Sequence, residues 1–341
     1  MGFPLASIKH GTGTVALTSC SLAANRGKVK RLKIYSSTDF PSYLPKLNQL
    51  YDDLFSDGKG FRSQLTQTVA HSLGLEESTQ LLLCQTIEFI HNASLLHDDL
   101  VDRSHLRRGK PAAWLKFTPE YAVLAGDYLL ARVMVNLSRH GNVELIQYTA
   151  EMISDLLEGE WIQDSLVRDF GIGLDQLDRV HNLKTGSLFK WCLRAPLVAA
   201  RSSDQELHGL MIEAGTILGQ LFQRSDDLLD FDIRNHEGKA VLGDLKGGYF
   251  NSFSVYLLTG SPDIDRRRYA QCQSLGEVRS LIGEVRFEER LKAFDELNAN
   301  GIELYEHLID RAGKRWPGGG SGAFQKSLMP LGRYLYWRKK D

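Results

Sequence analysis

Three aspartates, Asp98, Asp99 and Asp102, close the stretch HNASLLHDDLVD, and two arginines, Arg107 and Arg108, follow in LRRGKP. At 3.6 residues per turn, His91, Ser94, Leu95, Asp98 and Asp102 fall near one face of a helix. The arrangement recurs in GQLFQRSDDLLDF, where Gly219, Gln223, Asp226 and Asp230 share a face and Asp227 stands beside them. Each stretch spells D-D-x-x-D, whose first and last aspartates lie one turn apart. The other positions are largely apolar, so each acidic stripe is carried into an interior or a cleft. Carboxylates crowded there repel one another and lose water, and need protons or cations as compensation. All the donors are hard oxygens with no cysteine beside them, which favours Mg²⁺ completing its shell with water and phosphate. A lone D-D-x-x-D is commonly a solvated acidic turn. Two copies, each followed by basic residues, point to a metal site, and neither has the D-x-D-x-D-G spacing of an EF-hand loop.

Phosphate groups need cations. Beyond Arg107 and Arg108, Lys59 and Arg62 lie in SDGKGFRS, Lys184 in NLKTGSLF and Lys239 in EGKAVLGD. Arginine suits bidentate phosphate recognition, and lysine supplies a point charge. Singly, each reads as a surface cation. Beside two metal-type clusters, they suggest more than one phosphate group: one diphosphate on Mg²⁺ between the stripes, another on bare Lys and Arg.

Stripes of this kind need long helices, and the rest of the chain is patterned to supply them. From about residue 42, apolar residues recur at three- and four-residue spacing in segment after segment, with no sustained two-residue alternation. The fold expected is all-α, a single large antiparallel helical bundle of ten to twelve helices over residues 41–341. Residues 1–40, rich in Gly, Ser and Thr and then basic, are expected to form a disordered N-terminal arm. The 41 basic and 42 acidic residues leave a net charge of -1, which gives no reason to expect a nucleic-acid partner. No apolar run approaches a transmembrane span; the nearest, YAVLAGDYLLARVMVNL, contains Asp127 and Arg132. The four cysteines, Cys20, Cys84, Cys192 and Cys272, are widely spaced, which fits a reducing cytoplasm.

From about residue 45 to 338 the chain resembles the trans-isoprenyl diphosphate synthase family. DGKGFR resembles the family's G-G-K-x-x-R, and HNASLLHDDLVD with LRRGKP its first aspartate-rich motif and arginine tail. EGEWIQ resembles G-E-x-x-Q, KTGSLF resembles K-T-x-x-L-F, GQLFQRSDDLLDF the second aspartate motif, GKAVLGD G-K-x-x-G-D, and LGRYLYWRKK the closing basic segment. The resemblance implies the type I isoprenoid synthase fold, a helical bundle around a central apolar cavity. It also implies a transferase that condenses isopentenyl diphosphate head-to-tail with an allylic diphosphate, with Mg²⁺, three ions per site, as cofactor. Asp98, Asp102 and Asp226 would coordinate the metal, with Asp99, Asp227 and Asp230 supporting them. Arg107, Lys184, Gln223 and Lys239 would bind the allylic diphosphate, and Lys59, Arg62, His91 and Arg108 the isopentenyl diphosphate. Thr185 would sit near the reacting carbons, in a homodimeric enzyme.

Two departures matter. The loop after Asp244 usually reads G-K-x-T-L-P, and here it is GYFNSF, with Tyr249 in place of the lysine. Ala93 and Ser94 stand where short-chain members place bulky aromatics that floor the product tunnel. Small residues there predict a long-chain polyprenyl product, stopped lower down by Met134 or Leu137. Four alternatives remain open: a short-chain farnesyl or geranylgeranyl synthase, a class I terpene cyclase, a metal-dependent phosphohydrolase using the His97–Asp98 pair, and a non-catalytic regulatory subunit. The second D-D-x-x-D and the isopentenyl-site cations argue against the cyclase, and retention of all six aspartates argues against the regulatory subunit.

Overall fold

The computed structural model describes residues 32–35, 40–56, 60–107, 109–231 and 241–337. Helices α1 (Pro45–Ser56) and α2 (Phe61–Ser72) lead into α3 (Glu77–Val101), which carries the first stripe. A two-residue hairpin follows, β1 (Leu106–Arg107) antiparallel to β2 (Lys110–Pro111), with Leu106 opposite Pro111. Then come α4 (Ala113–Lys116), α5 (Pro119–His140), α6 (Val143–Ser165) and α7 (Leu174–His181). At Asn182–Gly186 the backbone widens into a π turn before α8 (Ser187–Ala199), and α9 (Gln205–Leu229) carries the second stripe. The remainder is α10 (Gly243–Lys246), α11 (Ser252–Thr259), α12 (Arg266–Tyr269), α13 (Leu275–Ile282), α14 (Glu284–Arg315), α15 (Ser321–Leu328) and α16 (Leu331–Tyr336). Among the described residues the helices outnumber the ten to twelve that periodicity suggests because α4, α10, α12 and α16 are of six residues or fewer, too short to show a period.

Local chemistry sets the ends of the long helices. Thr118 caps α5 by accepting from Tyr121 N at 3.2 Å, Pro119 occupies its first turn, and Gly141 ends it at φ 75°. Asn142 starts α6 by accepting from Leu145 N, and Asp204 starts α9 by accepting from Leu207 N. Such caps satisfy amide groups that a helix's first turn leaves without a partner.

Packing then brings the stripes together. α3 lies against α2, α5 and α8, while α9 lies against α8, α14, α16 and the π turn. α8 is therefore wedged between the two stripe-bearing helices, and Leu188, Phe189, Trp191, Leu193 and Leu197 are buried around most of its circumference, with Lys190 and Arg194 on the partly open side. The Trp191 indole donates to Thr149 Oγ1 at 3.1 Å, which satisfies the one polar group it takes inside. A second apolar cluster, with Phe250, Phe253, Tyr269, Phe287 and Phe294, lies under α11, α13 and α14. The main core also reaches into the segment assigned to the arm: Gln85 Nε2 donates to Ile34 O at 3.1 Å, Tyr35 stacks on Phe55, and Phe40 is buried. Among the described residues no helix is long and apolar enough to cross a membrane.

Candidate active site

The partly open face of α3 is the one that helical spacing selects. His91, Ser94, Leu95 and Asp98 are half-buried on it and Asp102 is exposed at the helix end, while Asn92, Ala93, Leu96 and Asp99 turn into the protein. Asp99 is 4% exposed, and the Arg107 guanidinium folds back from the hairpin onto it, with Nε donating to Oδ1 at 3.0 Å and Oδ2 at 3.1 Å. Asp99 is thus neutralised within the protein, while Asp98 and Asp102 stay on the partly open face of α3. Burial pushes Asp98 up to about 7, against the pull of the Lys184 ammonium. Asp102, exposed at the helix end but with its carboxyl partly desolvated, also shifts upward.

The second stripe divides in the same way. Asp226 is half-buried, whereas Asp227 is 2% exposed and held on both oxygens. Gln223 Nε2 donates to Asp227 Oδ1 at 3.0 Å, and Ser252 N donates to Oδ2 at 2.9 Å, joined there by the Ser252 hydroxyl. Asp230 ends α9; its Oδ1 accepts from Gly243 N at 2.7 Å, and its buried Oδ2 has no partner among the described residues. Burial and then the neighbouring Asp244 push Asp230 up to about 7.

The two stripes meet through adjacent residues of the π turn. Lys184 Nζ lies 4.0 Å from Asp98 Oδ2 on α3 and pairs with Glu160 on α6. Thr185 Oγ1 donates to Gln223 Oε1 at 3.2 Å on α9. Burial pulls the Lys184 ammonium down, but Asp98, Glu160 and Asp102 together raise it, so it stays charged. Two glycines let the neighbouring helices press on this turn. A Cβ on Gly159 of α6 would lie 2.9 Å from Lys184 N, and one on Gly219 of α9 would lie 2.8 Å from Gly186 N. π turns are rare and concentrate at functional sites.

Arg62, from α2, donates through Nη1 to His91 Nε2 at 3.1 Å, and its guanidinium lies 5.7 Å from the Phe189 ring centre and 5.9 Å from that of Phe222. A guanidinium only donates, so His91 accepts at Nε2 and carries its proton on Nδ1. Lys59, Arg108 and Lys239 lie outside the described residues. Ala93 is fully buried, Ser94 borders the cleft and donates to His91 O, Leu137 is buried, and Met134 packs against the core. His97 turns away from Asp98 towards α5, with Nε2 3.3 Å from Val123 O and 3.4 Å from Asp127 Oδ1. That orientation removes the His–Asp metal pair on which the phosphohydrolase alternative rests.

Sequence reasoning assigned no role to Glu160, Asn251 or Ser252. Glu160 stands in EGEWIQ, a motif already noted. Asn251 and Ser252 belong to a loop whose link to Asp227 arises only on folding.

Among the described residues, no three His, Cys, Asp or Glu side chains stand close enough to cage a metal by themselves. The donors are hard carboxylate oxygens, one of them the unpartnered, buried Oδ2 of Asp230. They fit a divalent cation that takes only one or two protein ligands and shares the rest with a phosphate-bearing ligand.

The Polyprenyl synthetase family model matches residues 44–282. The chain is 34% identical over 204 residues to octaprenyl diphosphate synthase of Escherichia coli (strain K12), covering 59% of this chain and 63% of that protein. It is 31% identical over 258 residues to decaprenyl-diphosphate synthase of Dictyostelium discoideum, covering 72% of this chain and 56% of that one. The chain thus spans less than two thirds of either relative's length. A solved structure of a decaprenyl diphosphate synthase from Rhodobacter capsulatus superposes with a TM-score of 0.76 at 25% identity, over 89% of this chain and 94% of that one. Since the family match runs from α1 through α13 and takes in both stripes and the π turn that joins them, this chain belongs to the polyprenyl synthetase family.

Proposed function

We propose that the protein is a Mg²⁺-dependent prenyltransferase that condenses isopentenyl diphosphate head-to-tail with an allylic diphosphate to give a long-chain polyprenyl diphosphate. The observation that carries this reading is the π turn, whose Lys184 and Thr185 join Asp98 on one helix to Gln223 and Asp227 on another. That junction makes a single cationic and acidic cleft able to grip a diphosphate between two metal-type stripes.

Asp98, Asp102 and Asp226 would hold Mg²⁺, with Asp99, Asp227 and Asp230 behind them, and the bound ion would supply positive charge to offset that on the departing diphosphate. Lys184, Gln223 and Lys239, with Arg107 positioned through Asp99, hold the allylic diphosphate. Arg62 and His91, with Lys59 and Arg108, hold isopentenyl diphosphate. The allylic C–O bond breaks and pyrophosphate leaves. The double bond of isopentenyl diphosphate forms the new C–C bond to the allylic carbon, and a proton passes from the adjacent carbon to the released pyrophosphate. Lys184 supplies positive charge where the leaving group becomes more negative, which is preorganised electrostatic stabilisation. The apolar helix faces below the stripes keep water from the cation and house the growing chain. Small side chains at Ala93 and Ser94, about one to two turns below Asp98, leave the upper part of that path open, which supports a long product.

Val123 and Leu124 on α5 and Leu157 and Trp161 on α6 are exposed, Trp161 by 79%, and they support a homodimer through these two helices. The buried free thiols of Cys84, Cys192 and Cys272 support a cytoplasmic setting. Incubation with Mg²⁺, isopentenyl diphosphate and each allylic starter, followed by chromatography of the dephosphorylated products, tests the reading. Long polyprenols are expected from wild type. Asp98→Ala or Asp226→Ala should lose orders of magnitude in rate with the helical signal intact, and near-normal turnover in either variant would sink the two-stripe site.

A further inference from the structure

Tyr249 stands in the loop between α10 and α11, where the family's pattern has a lysine. Its backbone is fixed: Tyr249 N donates to Asp244 O at 2.9 Å, and the preceding Gly248, at φ 84°, accepts through its carbonyl from Arg168 N at 2.8 Å. Two residues on, Asn251 Nδ2 donates to Asp244 Oδ2 at 3.0 Å and to Asp227 O at 3.3 Å, and Ser252 clamps Asp227 Oδ2. The loop is therefore tied at both ends to the acidic face of the second stripe. The Tyr249 hydroxyl is nonetheless buried and, among the described residues, has no hydrogen-bond partner. Among the described residues, the charged groups acting on it come from three elements and are carboxylates: Asp227 of α9, Asp244 of α10 and Glu160 of α6. Burial first, and these charges next, keep the phenol protonated. It is thus a donor within electrostatic reach of Glu160, whose partner Lys184 in turn reaches Asp98.

A buried donor without a partner is costly to a folded protein unless a ligand completes it. We infer that the Tyr249 hydroxyl is a ligand-binding group of this site, donating a hydrogen bond to an oxygen of the diphosphate gripped between the stripes. Tyr249 thus replaces the lysine's charged contact with a neutral one. Lysine would bring a formal charge into this corner; tyrosine brings a directed O–H that does not compete with Lys184 for Glu160. This inference rests on the diphosphate reading above and names one more contact within it.

Tyr249→Phe removes only the hydroxyl. Since that hydroxyl bonds to nothing among the described residues, the ligand-free variant should melt at the wild-type temperature or slightly above it. Its stabilisation by Mg²⁺ with inorganic pyrophosphate, read by thermal shift and titration calorimetry, should fall, with affinity for pyrophosphate lower by about tenfold or more, as for a hydrogen bond to a charged group. In steady state, kcat/KM for the allylic substrate should fall by a similar factor with KM for isopentenyl diphosphate unchanged, and Tyr249→Lys should recover pyrophosphate affinity. Unchanged pyrophosphate affinity in Tyr249→Phe would overturn the assignment, as would a lowered melting temperature of the free variant, which would show the hydroxyl serving the fold. A wild-type protein that binds Mg²⁺-pyrophosphate but forms no prenyl product would instead refute the condensation reading and leave Tyr249 to be judged on binding alone.

Discussion

Gly219→Ala isolates what holds the two stripes together. The added methyl would lie 2.8 Å from Gly186 N and 3.3 Å from the Thr185 carbonyl carbon, and closer still to Gly186 Cα, all of it backbone. Carbon contacts settle near 3.5–4.0 Å, so α9 and the π turn must part by roughly 1 Å. Overpacking of this kind costs about 1–3 kcal/mol. Alanine returns about 1 kcal/mol through helix propensity. Gly209 supplies the control: it is exposed in the same helix, and a Cβ there would meet nothing within 4 Å. Gly209→Ala should therefore gain about 0.5–1 kcal/mol, and the difference between the two variants should be about 1–3 kcal/mol, read as the gap between urea-unfolding free energies. Activity should suffer more than stability. The displaced turn carries Lys184 and Thr185, and Thr185 bonds to Gln223 one turn beyond Gly219. A misplacement of about 1 Å can cost on the order of 10²-fold in rate, so kcat should fall by about that factor while Gly209→Ala stays at wild type. A Gly219→Ala protein as stable and as active as Gly209→Ala would refute the claim that backbone contact at Gly219 sets the spacing of the site.

Other outcomes follow from the same geometry. In EDTA, Asp98 and Asp230, held up to about 7, bind protons more tightly folded than unfolded, so their stabilising contribution is complete below the usual carboxylate range near 4 and is lost as pH rises through 7. His181, pushed down to about 4 by burial, has the opposite slope below about 6.5; melting temperature should therefore fall from about pH 6.5 to 8, a fall that Mg²⁺ with pyrophosphate abolishes, and a flat profile in EDTA would count against the buried carboxylates. Arg224→Met should cost about 2–3 kcal/mol, towards the low end for a broken buried pair because Asp178 is partly solvated: Arg224 donates twice to Asp178 at 3.0 Å and once to Asn298, which in turn meets Tyr336, so chemical denaturation should also show α16 loosening first. Ser94→Phe, on the cleft side of α3, should shorten the product towards farnesyl or geranylgeranyl length at a comparable condensation rate, and an unchanged product distribution in an active variant would show that Ser94 does not set chain length.

What the chain determined by itself was everything that depends on a period of 3.6 residues. The half-buried stripe at His91, Ser94, Leu95 and Asp98, the repeat at Gln223 and Asp226, and the helical class all follow from hydrogen bonds that span four residues, so a local pattern suffices to place them. The motif order carried the family for the same reason, since each motif sits within a few turns. The same period sets Asp99 and Asp227 off the stripe faces, but tertiary structure alone supplied the partners that hold them inside the protein. Asp99 is consumed by Arg107 across a hairpin and Asp227 by Ser252 across a loop, leaving Asp98, Asp102 and Asp226 to the cleft. It also decided that Lys184 turns to Asp98 and Thr185 to Gln223, and that the hydroxyl of Tyr249 is buried without a partner among the described residues. A buried polar group takes whichever partner packing delivers, and those partners lie as far apart in the chain as Asp98 and Lys184, where no local period connects them.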